Sequence, residues 1–141
     1  ARFQGIDFQA TYSLSPRLTV QQKTSIVRAF DTLNEQYLVN IPADRFEYLL
    51  RYAFKSNKAY VSGGITQVSK QTRVEGGSDY AVPPAGYFLV QVNGGMTYKK
   101  LEVNLSVSNA LNAAYRDYLN RFRYYADDQG RNISLKVAYS I

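Results

Sequence analysis

The residues best suited to chemistry fall in one stretch, where Arg116, Arg121 and Arg123 are interleaved with Tyr118, Tyr124 and Tyr125. A guanidinium offers a planar fork of donors to an anion, and a phenol ring offers a face for stacking. Arg116, Arg121, Arg123, Tyr124 and Tyr125 are therefore the candidate contacts for an anionic or aromatic ligand. Asp117, Asp127 and Asp128 lie among them and offer the competing arrangement, in which the arginines pair inside the segment and the tyrosines pack it. Asp127-Asp128 has no further spaced oxygen ligands, so no metal site is expected there. Glu47 and Glu102 stand on separate segments and do not form the carboxylate pair of glycoside chemistry. Asn104-Leu105-Ser106 and Asn132-Ile133-Ser134 match a glycosylation sequon, but both fall inside runs that read as strands.

Composition removes most catalysis. The 141 residues include no His and no Cys. That excludes a Ser-His-Asp triad, a His- or Cys-ligated metal, a thiol nucleophile and a disulfide framework. No catalytic residue and no cofactor is assigned, and the chain does not read as an enzyme. Lys and Arg number 17 against 11 acidic residues, a net charge of +6. Basic charge beside aromatics can suit nucleic acid, but here it is spread along the chain without a Gly-flanked aromatic motif. No nucleic-acid partner is expected. No run approaches the ~18 to 20 apolar residues of a membrane-spanning helix. The opening Ala1-Arg2-Phe3-Gln4-Gly5 lacks a signal-peptide layout and looks like the interior of a longer chain or a processed end.

The elements that must position the basic-aromatic stretch are strands, because period-two alternation runs through the sequence. Ile133, Leu135, Val137, Tyr139 and Ile141 alternate with Asn132, Ser134, Lys136, Ala138 and Ser140. Leu101, Val103, Leu105 and Val107 alternate with Glu102, Asn104, Ser106 and Ser108. Similar runs cover 3–14 and 45–54, with weaker ones at 18–29, 59–70 and 87–98. Seven strands of roughly 10 to 12 residues are predicted, longer than globular strands and near the ~9 to 11 of a tilted membrane-crossing strand.

Short turns at 15–17, 56–58 and 99–100 alternate with long polar segments at 30–44, 71–86 and 110–130. That is the layout of outer-membrane barrels, with periplasmic turns on one edge and extracellular loops on the other. Gly76-Gly77-Ser78 and Pro83-Pro84 mark the middle segment as loop, and 110–126 carries a helical spacing that predicts a short helix or an ordered loop capped by Ser108 or Asn109. Tyr12, Tyr52, Phe54, Tyr98 and Tyr139 fall near the short turns and predict an interfacial girdle. The polar faces carry Asp7, Gln9, Lys23, Arg45, Glu47, Arg51, Glu102, Asn104 and Lys136, which suit a wet or plugged lumen rather than a filled core. A small stand-alone barrel, membrane-inserted or lipocalin-like, is the alternative. Its closing strand would come from 30–44, since seven strands leave two open edges.

The residues resemble the C-terminal third of a TonB-dependent outer-membrane receptor. Phe3-Gln4-Gly5-Ile6-Asp7 followed by Tyr12-Ser13-Leu14-Ser15-Pro16-Arg17-Leu18 is similar to the family's F-x-G-I-D strand and periplasmic turn. Asn40-Ile41-Pro42-Ala43-Asp44-Arg45 resembles its N-I-P-x-x-R re-entry, and Pro84-Ala85-Gly86-Tyr87 with Leu89 its P-G-Y-x-L entry. Val107-Ser108-Asn109-Ala110-Leu111-Asn112-Ala113-Ala114-Tyr115 resembles V-x-N-L-F-N-x-x-Y, and Gly130-Arg131-Asn132 the G-R-N opening of the last strand.

The resemblance implies antiparallel transmembrane strands, part of a larger 22-stranded plugged barrel in the outer membrane of a Gram-negative bacterium. It implies uptake of a scarce nutrient: a siderophore, metal complex, vitamin, oligosaccharide or peptide. The implied partners are the lipid bilayer, the remainder of the barrel and its plug, TonB acting through that plug, and the barrel-assembly machinery. Arg45, Glu47, Arg51, Glu102 and Lys136 become lumen-facing, and Tyr139 with Ile141 becomes the assembly signal. The family ends in an aromatic where this chain has Ile141, which implies a weakened signal or a terminus elsewhere. Residues 1–141 are read as the C-terminal part of the barrel, with no plug among them.

Overall fold

The computed structural model describes residues 1–54, 58–74 and 79–140. The expectations for Ser56-Asn57, Gly76-Gly77-Ser78 and Ile141 lie outside the described residues. The chain forms β1 (Arg2–Ser15), β2 (Leu18–Asp31), β3 (Gln36–Tyr37), β4 (Arg45–Ala53), β5 (Ala59–Val68), β6 (Tyr87–Tyr98), β7 (Leu101–Ser108) and β8 (Asn132–Tyr139). These make one antiparallel sheet in the order β1-β2-β4-β5-β6-β7-β8, with β3 beside β2. Seven of the strands are the seven alternating runs. The eighth, β3, only lengthens a hairpin: Phe30 faces Tyr37 and Asp31 faces Gln36. It does not close the sheet, and among the described residues β1 pairs only with β2 and β8 only with β7. The 30–44 segment thus supplies no closing strand for a stand-alone barrel.

The register gives the strand tilt. One row across the sheet runs Leu18, Tyr52, Val61, Gly94, Leu105, Leu135. Leu18 is already at the end of its hairpin, whereas the β4–β5 hairpin continues two residues below this row, to the Phe54–Ala59 bond. The β6–β7 hairpin continues four below it, to Tyr98 and Leu101. The ends step down by one residue per strand. With a ~3.4 Å rise and ~4.8 Å spacing this is a tilt of about 35° from the barrel axis, within the range of closed outer-membrane barrels. Measured from that slanted line, Tyr12, Tyr52, Phe54, Tyr98 and Tyr139 fall within two residues of one level on the apolar face.

Residues that pair directly share a face, so the register also sorts the side chains. Asp7, Gln9, Lys23, Arg45, Glu47, Arg51, Asn104, Glu102 and Lys136 all fall on one face. The other carries Ile6, Phe8, Leu50, Val92, Leu105 and Leu135, all exposed. The sheet is a wall without a core of its own. On its polar face Tyr60 lies across Gly95, where a Cβ would meet the ring at 2.5 Å. There Tyr60 donates to Asn104 Oδ1 at 3.2 Å and lies under the Arg51 guanidinium at 3.9 Å.

The closest packing lies at the long-connection edge, where Gln71, Tyr118, Arg123 and Asn109 are all buried. No helix forms over 110–126, which is an ordered loop of tight turns. Asn109 and Asn112 both take left-handed backbone, at φ 46° and 53°, which a right-handed helix cannot continue through. Asn109 does not cap a helix. Its Oδ1 accepts from Ala113 N at 2.9 Å and its Nδ2 donates back to Ala113 O, closing a side-chain turn. Asn112 Oδ1 then accepts from Arg131 N at 2.9 Å, so both Asn residues of the V-x-N-L-F-N-like segment fix the loop's two ends together.

Candidate functional site

The described parts of the three long connections, 32–44, 69–74 with 79–86, and 109–131, meet along one edge and interlock. Asp44 anchors the first. Arg28 of β2 forks onto both of its oxygens at 2.5 and 2.8 Å, and Arg73 of the second connection adds a contact at 3.1 Å. The Arg28 hydrogen bonds, helped by the charge of Arg73, hold the Asp44 carboxyl below its ordinary range despite partial burial. Gln71 ties the same two connections, donating to Ile41 O at 2.8 Å while its Oε1 accepts from Arg73 N.

Arg123 joins all three. Its guanidinium lies between the rings of Tyr80 and Tyr118, 4.3 and 4.5 Å from their centroids. Its Nη2 contacts Asp79 Oδ2 at 2.5 Å, its Nη1 donates to Tyr118 O, and the pair's side chains are 2% and 5% exposed. Tyr118 Oη accepts from Asn40 N at 3.3 Å, and Tyr80 Oη donates to the Asn120 and Arg121 carbonyls. Burial and the Asp79 carboxylate push the Tyr118 phenol above its usual range. Burial, with Asp128 and Asp117 nearby, does the same for Tyr115. Removing either member of this buried ion pair would leave the other charge unpaired away from water.

The five candidate contacts divide. Arg123 is inside the lock. Arg116 is half-exposed and braces the loop, through Asp127 at 2.6 Å and the Arg123 carbonyl at 2.9 Å. Arg121, Tyr124 and Tyr125 face outward, the two rings stacked edge to face at 5.0 Å. Arg121 has no carboxylate partner among the described residues and, with Asn40 and Tyr80, lines a cleft of about 410 Å³ between the connections. Asp117 accepts from Tyr87 Oη at 2.6 Å, and Asp128 from Asp117 N and Asn120, so the acids are spent on the loop itself. Among the described residues no His, Cys, Asp or Glu cluster suits a metal.

Sequence reasoning missed Asp79, Tyr80 and Asp44, which complete these locks. Asp44 alone left a trace, next to Arg45 in the re-entry motif. On the polar face, Arg45 bonds Glu47 at 2.6 Å, and both line a hollow of about 250 Å³ with Asp7 and Lys23. Arg51, Glu102 and Lys136 lie nearer the short turns on that same face, where Asn104 bonds Glu102 at 2.7 Å and faces Lys136.

No protein-family model and no curated protein matches the chain in sequence. Solved structures match it in shape. The copper transporter OprC superposes with a TM-score of 0.87 at 18% identity, over 99% of this chain and 24% of its own. The FrpB iron transporter from Neisseria meningitidis gives 0.75 at 22% identity, over 97% and 23%. FpvAI, solved in complex with pyocin S2, gives 0.71 at 18%, over 97% and 19%. The chain spans about a quarter or less of the length of these proteins. At such identities the likeness is one of fold, and over nearly all its length this chain has the fold of a barrel-wall segment of the TonB-dependent receptors.

Proposed function

We propose that residues 1–141 form the C-terminal part of a 22-stranded, plugged TonB-dependent receptor in a Gram-negative outer membrane, which imports a scarce nutrient. The observation that carries this reading is the one-residue step per strand. Closing a sheet into a barrel requires a shear of this kind, and the same wall superposes on transporters, which together support the reading. The apolar face meets lipid, and Arg45, Glu47, Arg51, Glu102 and Lys136 line the lumen against the plug, through which TonB delivers energy. Arg121, Tyr124 and Tyr125 present the ligand-facing surface of the loop cap, with Arg116 and Arg123 holding it in shape. Tyr139 and Ile141 belong to the signal read by the barrel-assembly machinery. The role is transport rather than catalysis. Because the neighbours are named for copper and iron transport, metal complexes are the first ligands to try.

The test is uptake of radiolabelled iron and copper complexes by cells with and without the receptor, with and without a proton-motive force. Energy-dependent uptake that is lost on deletion, and reduced by Arg121→Gln with the receptor still in the outer membrane, supports the reading. A receptor found outside the outer-membrane fraction refutes it.

A further inference from the structure

The apolar face carries Gln67 near its upper rim and, close to mid-height, one polar pair. On β2, Gln22 and Thr24 stand on that face, between Ala10 and Phe8 of β1 and Tyr48 and Phe46 of β4. Gln22 Nε2 donates to Thr24 Oγ1, but neither Gln22 Oε1 nor Tyr48 Oη has a hydrogen-bond partner among the described residues. From the slanted line of the short turns, Gln22 lies about 12 Å up, near the middle of an apolar band ~25 Å tall. An amide with an open acceptor at that depth faces hydrocarbon that cannot satisfy it. Beside it a trough of about 510 Å³ opens over Gly63, walled by Val20, Tyr48, Leu50, Ile65 and Val92. A Cβ built on Gly63 would touch nothing within 4 Å.

We propose that this notch is a contact between two copies of the chain, related by a two-fold axis along the membrane normal. The inference rests on the barrel reading above. An amide carries both donor and acceptor and so is its own complement across such an axis. Sheets that pack face to face are ~10 Å apart, which two glutamine side chains span. The surroundings are self-complementary as well. Phe8, 53% exposed, stands one strand to one side of Gln22. The Gly63 trough lies one to two strands to the other side, within about one residue of the same height. Rotation about an axis at Gln22 lays each copy's Phe8 over the other's trough. Lipid chains would fill the trough but leave the amide unanswered; a second copy answers both. Polar side chains paired in this way join membrane segments more strongly than apolar contact does.

The chain has no cysteine, so introduced thiols report cleanly. Gln22→Cys and Leu135→Cys would be placed singly in the full receptor, freed of any other thiols, and studied in native outer membranes. Both sites should react with a lipid-dissolved maleimide, which reports the lipid-facing side independently. A short membrane-permeant thiol crosslinker should then give roughly tenfold more dimer from Gln22→Cys than from Leu135→Cys. Adding Gly63→Leu to Gln22→Cys should cut that dimer severalfold, because the new side chain occupies the seat of Phe8 without disturbing the strand. Equal crosslinking from the two thiols, both labelled by the maleimide, overturns the proposal and leaves the barrel reading standing. Dimer undiminished by Gly63→Leu also overturns it. Labelling of neither site defeats the barrel reading itself.

Discussion

Leu135→Arg and Ser134→Arg place the same charge on adjacent residues of β8 and differ only in the face they reach. Leu135 is 66% exposed, on the apolar face, in register with Leu105. By the slant of the sheet it lies about 15 Å above the short-turn level, the centre of the apolar band. An arginine at the midplane of a barrel's lipid face costs about 2 to 4 kcal/mol, a factor of roughly 30 to 900 in the folding equilibrium. Ser134 pairs with Ser106 on the polar face and has Lys136 two residues along. Its arginine remains hydrated, and repulsion from Lys136 through water adds about 0.5 kcal/mol or less. The difference between the two variants should therefore be about 1.5 kcal/mol at least. The assay is denaturant titration of the full receptor folding into lipid vesicles, comparing midpoints at equal slope. Equal penalties would refute the reasoning, since alternation would then not separate lipid from water. A larger penalty at Ser134 would invert the wall.

Three further outcomes are expected. Residues 1–141 made alone should not yield a monomeric closed barrel, because among the described residues β1 and β8 each leave a row of backbone groups unpaired; a monodisperse monomer with protected amides in both edge strands would contradict this. Asp79→Asn should release Arg123 from its partner at a cost of about 3 to 5 kcal/mol to the loop cap, read as faster proteolysis within 109–131 while barrel assembly is unchanged; unaltered cleavage would show that the pair does not hold the cap. The cap should also loosen at both ends of the pH scale. Asp44, held low, lends stability that is whole above about 4 and fades as pH falls through its folded value; Tyr118, held high, lends stability that is whole below about 10 and fades as pH rises through its folded value. Tyrosinate absorbance and loop proteolysis followed together should show the alkaline step, and Tyr118→Phe should reduce it, leaving the part that Tyr115 carries.

The wall was legible because alternation is a local signal. β7 states it residue by residue, and β8 and β4 do so apart from Ala138, Leu49 and Ala53 on the polar face. β2 states it weakly for a physical reason: Gln22 and Thr24 sit where apolar residues complete the period elsewhere. β3 has only two residues and no period to show. The loop cap was hidden because its ties are non-local. Arg123 finds Asp79 44 residues back, and Tyr118 finds Asn40 78 residues back. The helical spacing of Leu111, Tyr115, Tyr118, Leu119, Phe122 and Tyr125 was accidental: Tyr118 is buried and Tyr115 half-buried, while the other four are exposed. Asn109 and Asn112 were visible as a motif, but the left-handed backbone of both is imposed by the loop they close.

The one-residue step has a consequence for the inside of the wall. Because residues paired across the sheet share a face, strands displaced by one residue present opposite faces at equal depth. Side chains at any given depth therefore come from every second strand. Counted from the slanted baseline, Asp7, Glu47, Gln91 and Ser134 form one tier, from β1, β4, β6 and β8. Lys23, Gly64 and Ser106 form the next tier down, from β2, β5 and β7. Neighbours within a tier are about 12 Å apart around the circumference, with the next tier's side chains standing between them one residue lower. The two acids thus sit one tier above Lys23, with Lys136 in the tier below that, so charge on this face is ordered by depth, carboxylates over ammoniums, rather than spread as a uniform field.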